Sequence, residues 1–269
     1  MLENIFVFLF GAIIGSFLNV CIYRMPLNES VVSPGSHCPN CKKAIPWYDN
    51  IPFVSYCLLL GRCRYCKKII SPRYLLVELL TGLVFLAMFV RFGLSFEFFL
   101  YSLFICGLII STFIDIGYRI IPDEISLGGI VVGLLLSLVK SLFIAHPGAK
   151  FAPLLNSCLG VIVGGGIIYL TGFIFDLIYF KLLKKPPIQG ETESMGGGDV
   201  KLLAMIGAFL GWKIALFTFF IAPFFGAAVG LMNIAVKKDH TIPYGPFLSL
   251  AALIGIFWMD TVLKLLLLR

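Results

Sequence analysis

The chain is 269 residues long; 59% of them are apolar or aromatic, only 13% are charged, and the formal net charge is +7. A soluble domain carries about a quarter charged residues, so these figures and a mean hydropathy of +1.00 exclude a single water-soluble core. No basic stretch is interleaved with aromatic residues in the manner of a nucleic-acid surface, so the positive charge reads as a topology signal and a contact for anionic lipid.

A membrane-spanning helix needs about 20 apolar residues, and eight stretches are candidates. The first covers residues 4–23. It has Glu3 before it, no basic residue ahead of it and Arg24 after it. That pattern suits a membrane span held by a basic stop better than a cleavable signal.

Residues 24–73 form the one sizeable polar segment. Two Cys-x-x-Cys pairs, Cys38 with Cys41 and Cys63 with Cys66, lie there with 21 residues between them. Each pair can form a tight knuckle, and two knuckles supply four thiolates in a tetrahedron that Zn²⁺ accepts. Lys42, Lys43, Arg62, Arg64, Lys67 and Lys68 flank them and favour thiolate over thiol. The alternatives are two redox pairs or plain reduced thiols. A four-cysteine site is closed to substrate, so the zinc is expected to be structural, folding a segment too small to hold itself together. His37 adjoins Cys38 and reads as a polar neighbour. Cys21, Cys57, Cys106 and Cys158 are expected to be small buried apolar residues.

Further spans are expected at 74–92, 97–117, 123–143, 154–180, 199–211, 213–236 and 246–267. The stretch 199–211 is short and flanked by glycine; fused with the next, it brings the count to seven. The expected fold is all-α and polytopic, with about eight transmembrane helices and a small cytosolic zinc-binding insertion. Its parts are the first transmembrane helix at 1–23, the four-cysteine module at 24–73 and a transmembrane core at 74–269. With eight spans, 15 of the 21 Lys and Arg residues fall on one side. That side is then the cytoplasm, which places both termini outside.

Ionisable groups in membrane segments default to functional candidates. Asp115 ends the third span, where a carboxylate meets the negative end of the helix dipole and gains nothing as a cap. Asp123 follows Pro122 and suits the first turn of the next helix, where the dipole favours an acid; Glu124 has the same bland explanation. Asp199 follows Gly196, Gly197 and Gly198 and opens the sixth span. Taken alone it suits an N-cap, with glycines that admit close approach of another backbone. Asp115 and Asp199 together, on one face of the membrane, suit aspartic proteolysis, in which two carboxyl groups share one proton. No His-Glu-x-x-His or Walker motif occurs, and the one histidine that adjoins a Ser or Cys in sequence, His37, belongs to the cysteine module. The competing reading is a transporter or scaffold in which Asp115, Asp123, Asp176 and Lys201 form an ion relay. It has no use for a zinc module.

At these residues the chain resembles the type IV prepilin peptidases, bifunctional leader peptidases and N-methyltransferases with a Gly-x-Gly-Asp aspartic protease core. Four blocks carry the resemblance, within residues 11–205. The first runs from Gly15 through Asn19 and Arg24 to Pro26. The second runs from Cys38 and Cys41 through Trp47, Asn50, Pro52, Gly61, Cys63 and Cys66 to Ser71, Arg73 and Glu78. The third is Asp115 to Asp123, and the fourth is Gly196, Gly198, Asp199 and Lys201.

The resemblance implies that Asp115 and Asp199 are the protease pair, with Asp123, Gly196, Gly198 and Lys201 in support. It implies type IV prepilins or type II secretion pseudopilins as substrates in the bacterial cytoplasmic membrane, with the zinc module in the cytoplasm. Their short basic leader is cut on the cytosolic side after a Gly. The new N-terminal residue, commonly Phe, is then methylated with S-adenosylmethionine. Arg73 and Glu78, beside the module, are candidates for methyl transfer; an ion pair at the membrane surface is the alternative. The departure from the family pattern is the long segment 181–195, which reads as a lid or a variable linker.

Overall fold

The computed structural model describes residues 1–183, 195–237 and 242–267. Nine helices are formed among them: α1 (Leu2–Arg24), α2 (Val54–Leu58), α3 (Arg73–Phe92), α4 (Phe96–Tyr118), α5 (Asp123–Phe143), α6 (Ala152–Asp176), α7 (Gly197–Leu210), α8 (Trp212–Lys237) and α9 (Gly245–Leu267). The described residues contain no strand, only two isolated bridges, His37 with Ala44 and Arg62 with Ile69. The all-α, multi-pass expectation holds. Six described helices (α1, α3, α4, α5, α6 and α8) are long and apolar enough to cross a membrane, against the eight expected. The 181–195 segment and the basic residues Lys184, Lys185 and Lys238 fall in or next to 184–194 and 238–241, which lie outside the described residues.

Two compact units make up the chain, Met1–Ile114 and Asp115–Arg269. In the first, α1 and α3 pack with backbone close to backbone. A Cβ on Gly15 would stand 2.8 Å from Glu78 Cα, and one on Gly11 would stand 2.7 Å from Phe85 Cβ. Asn19 stitches the pair, its side-chain amide donating to the Tyr74 carbonyl at 3.0 Å and the Gly15 carbonyl at 3.3 Å. Such a bond replaces water that the bilayer lacks.

In the second unit, α7 is the central element. Leu202, Leu203, Met205, Ile206 and Ala208 are all buried. Gly160 and Gly207 meet where α6 crosses α7, and a Cβ on either would run into the other's backbone. This is the small-residue packing by which membrane helices come close. Gly211 separates α7 from α8 with φ +82°, a left-handed conformation that glycine adopts at low cost. The two stretches therefore stay distinct helices. At 14 residues, α7 rises about 21 Å, less than the roughly 30 Å of hydrocarbon.

Candidate active site and metal centre

Asp115 lies in the last turn of α4. Its side chain is 6% exposed, and its Oδ2 accepts the backbone N–H of Gly245 at 2.9 Å. Gly245 opens α9, within Ile242-Pro243-Tyr244-Gly245-Pro246. The helix ends at once because Arg119 turns left-handed, with φ +57°, and its N–H bonds the Asp115 carbonyl at 2.9 Å.

Asp199 occupies the first turn of α7, half-buried. Gly196, not Asp199, is the N-cap, with no side-chain cap bond; the Asp199 N–H bonds the Gly196 carbonyl at 3.0 Å. Its carboxylate is left for other work.

Ile121 locates the two aspartates with respect to each other. A Cβ on Gly198 would lie 3.5 Å from Ile121 Cδ1, and one on Gly245 would lie 3.4 Å from that atom and 2.8 Å from Asp115 Oδ2. The start of α7 and the Asp115–Gly245 bond thus meet around one side chain, and the two carboxylates act on each other electrostatically. Gly198 is small because Ile121 Cβ would stand 3.2 Å from a Cβ there; Gly197 has open space. Tyr244 is beside this site. Burial pushes its phenol up to about 12, and the Asp199 charge adds to the rise.

Asp123 is the first residue of α5, after Pro122 at the cap. Its Oδ1 pairs with Lys201 Nζ at 2.6 Å. Both side chains are substantially exposed, 57% and 37%, which limits the pair to about 0–1 kcal/mol. It ties the starts of α5 and α7 together. Asp176 ends α6, where the chain passes into a π-helical turn, Leu177–Leu182. The proposed relay thus has its ion pair at an exposed surface.

The four cysteine sulfurs all lie within 4.8 Å of one another. Cys38 Sγ is 3.8 Å from Cys66 Sγ, and Cys41 Sγ is 4.0 Å from Cys63 Sγ. Zn–S bonds of about 2.3 Å in a tetrahedron give edges of about 3.8 Å, so the donor set fits zinc.

Its two halves repeat one geometry. The Cys38 N–H bonds the Lys43 carbonyl at 3.0 Å, and the Cys63 N–H bonds the Lys68 carbonyl at 2.9 Å. Lys42 and Lys67 are both left-handed at φ +58°. That turn aims amides at sulfur. The Lys68 amide, then the Asn40 side chain at 3.6 Å, push the Cys66 thiol down to about 6. The Lys43 amide favours the Cys41 thiolate, but burial and the other sulfurs outweigh it and hold that thiol at about 11.

Arg64 clamps Asp49 with two 2.6 Å bonds and holds the Asp49 carboxyl below its ordinary range. His37 turns its Nδ1 to the Gly35 carbonyl at 3.0 Å, consistent with a neighbour's role. Cys57 corrects the expectation of burial. It is exposed, because it sits on the short helix α2 between the two knuckles and not in a membrane span.

Glu78 and Arg73 do not pair. The Glu78 Oε2 accepts the Phe53 N–H at 3.1 Å, with Ser16 as a further partner. The Arg73 guanidinium lies over the Tyr74 ring at 5.5 Å, with Nε buried and unbonded. The ion pair held as the alternative to a methyl-transfer role is therefore not formed.

The sequence reading missed Tyr244 and Gly245. The Pro-x-Gly-Pro pattern between two spans was a signal for a tight turn. That it meets Asp115, 130 residues away, is a tertiary fact without local trace.

Apolar helices crossing the bilayer, two aspartates drawn to one point and a zinc-fitting cysteine insertion define a multi-pass membrane protein with the makings of a hydrolase. Residues 9–92 match the bacterial peptidase A24 N-terminal domain, and residues 102–231 match the type IV leader peptidase family. Among similar proteins, the prepilin leader peptidase/N-methyltransferase of Myxococcus xanthus is 35% identical across 85% of this chain, which spans 62% of that relative's length. Those of Aeromonas hydrophila and Pseudomonas aeruginosa are 32% and 31% identical, over 96% and 95% of this chain and 91% and 90% of their own. No solved structure matches. The chain belongs to the type IV leader peptidase family, and the transporter reading gives way to an enzyme.

Proposed function

We propose that this enzyme removes the leader from type IV prepilins or type II secretion pseudopilins at the cytosolic face of the inner membrane, with Asp115 and Asp199 as its catalytic pair. The meeting of Asp115, Gly245, Ile121 and the start of α7 carries the reading. The Gly245 amide makes Asp115 Oδ2 an acceptor, so Asp115 is assigned as base and the shared proton is assigned to Asp199. Water attacks the scissile carbonyl carbon and gives a proton to Asp115. Asp199 donates its hydrogen bond to the carbonyl oxygen. Collapse breaks the C–N bond, and the leaving nitrogen takes a proton from the pair. Gly196 and Gly197 leave the start of α7 open to an extended peptide, and Lys201 with Asp123 braces it.

Cys38, Cys41, Cys63 and Cys66 hold structural Zn²⁺; four thiolates leave no position for substrate. The basic residues of the module favour its placement in the cytoplasm. The second activity is N-methylation of the new N-terminal residue, with S-adenosylmethionine as donor.

The test is cleavage of a synthetic prepilin by purified enzyme in nanodiscs. Asp115→Asn and Asp199→Asn are each expected to lower turnover by about 10²–10⁴-fold, the usual worth of positioned acid–base groups. Normal cleavage by either variant refutes the pair.

A further inference from the structure

Hydrolysis among buried helices needs a place to hold water, and α9 carries a side chain suited to that task. Ser249 lies one helical turn after Gly245, the residue whose amide bonds Asp115 Oδ2. Residues four apart share a helix face, and helix side chains lean toward the helix start. The Ser249 side chain therefore leans toward the turn that holds Asp115.

Ser249 is 8% exposed, and its hydroxyl has no hydrogen-bond partner among the described residues. The usual outlet for a hydroxyl in an apolar helix is the carbonyl four residues back. Thr81, Ser126 and Thr171 take it, bonding the carbonyls of Val77, Pro122 and Ile167 at 2.7, 3.1 and 2.7 Å. Ser249 does not, although Gly245 stands at that position. Leu248, Ala251 and Ala252 beside it in α9 are buried and apolar. They offer the hydroxyl no compensation, and a bare hydroxyl away from water is costly. A buried water is stable where it finds about two to four polar partners. Ser249 and the Asp115 carboxylate supply two, and the substrate carbonyl carbon completes the line of attack.

We propose that the Ser249 hydroxyl binds the attacking water and holds it against Asp115. The proposal rests on the aspartate-pair reading above and adds a water-binding residue to that site. The water donates one hydrogen to the Asp115 carboxylate and the other to Ser249 Oγ, which leaves a lone pair free for the scissile carbonyl carbon. As the C–O bond forms, the first hydrogen passes to Asp115 as a proton. Ser249 keeps its own hydrogen and ends the step unchanged. Its contribution is to fix the direction of attack.

The experiment uses the full chain in nanodiscs with a synthetic prepilin and two uncleavable peptide isosteres. In one, a hydroxyl-bearing carbon replaces the scissile carbonyl, so that its hydroxyl takes the place of the water; in the other, the carbon is a plain methylene. Wild type is expected to prefer the hydroxyl isostere. Ser249→Ala is expected to lower kcat about tenfold, the worth of one hydrogen bond, with KM within about twofold. It is also expected to lose most of the preference for the hydroxyl isostere while binding the methylene isostere as wild type does. Thr218 in α8 is another buried hydroxyl without a described partner, and Thr218→Val is expected to keep both kcat and the preference. Unchanged kcat and preference in Ser249→Ala overturn the proposal. So does a loss of both isosteres together, or an equal loss of kcat in Thr218→Val, since either marks a packing effect. Wild-type protein that cleaves no prepilin would instead sink the proposed function.

Discussion

Replacing Gly245 by alanine tests the catalytic site without touching either aspartate. The new Cβ would stand 2.8 Å from Asp115 Oδ2, 3.4 Å from its Cγ and 3.4 Å from Ile121 Cδ1. The first separation is too short for a carbon, so the carboxylate must withdraw or the turn must retreat by several tenths of an ångström. Either movement breaks or bends the 2.9 Å bond from the Gly245 amide. Gly245 is not among the left-handed glycines, so alanine adds a contact without backbone strain. A hydrogen bond to a charged group is worth about 1.5–3 kcal/mol, or roughly 10–150-fold at about 1.4 kcal/mol per decade. That range includes the approximately hundredfold cost of a small misplacement at a reacting centre. The expected result is a kcat lowered by that factor, a smaller change in KM, and unchanged zinc content as a control for folding. The assay is densitometry of prepilin processing at saturating substrate. Turnover within about twofold of wild type would show that the amide does not set the position of Asp115, and the assignment of Asp115 as base would lose its support.

Asp123→Asn should be mild. The exposed pair with Lys201 is worth at most about 1 kcal/mol, so cleavage should fall no more than about fivefold; a loss as deep as that of Asp115→Asn would make Asp123 part of the chemistry. The Cys66 thiol, set down to about 6 from an ordinary 9.0, gives the metal site a pH dependence. In the metal-free module the Cys66 thiolate contributes stability that is complete above pH 9 and is lost as pH falls through about 6, while Cys41, held at about 11, opposes it. Zinc lowers the midpoint further. Bound zinc, read with a chromogenic chelator, should hold from pH 8 to 7 and be released below about 6. Release between pH 7 and 8 would contradict the geometry of the knuckles. Cys38→Ser should lose zinc and unfold the module; unchanged zinc stoichiometry would remove that residue from the ligand set.

What the sequence made legible was whatever repeats locally. Apolar runs became helices because a bilayer leaves backbone groups no other partner. The cysteine pairs formed their knuckles because two residues between sulfurs suit that turn. Asp123 took the first turn of α5, as the proline before it implies. Less legible was anything decided by packing between distant segments. Asp199 proved to lie inside its helix, with Gly196 as cap. Gly198 is small because Ile121 presses on it, which no run of glycines announces. Arg24, expected as a basic stop at the membrane edge, is buried against the carbonyls of its own loop. Glu78 accepts the amide of Phe53, 25 residues away, a partner that its sequence neighbours do not announce.

The shortness of α7 has a consequence for how this enzyme tolerates change. Because the helix cannot reach across the hydrocarbon, at least one of its ends is stranded where lipid offers no hydrogen bond. α6 makes good the deficit: the Ser157 hydroxyl donates to the Ala208 carbonyl at 2.5 Å, and Asn156 lies against Gly211. Asp199 is thus mounted on a stub whose far end depends on a neighbour's serine and on two glycines that admit no methyl group. Damage to the chemistry can therefore begin at Ser157, Gly160 or Gly207, positions that no search for acids and bases would inspect.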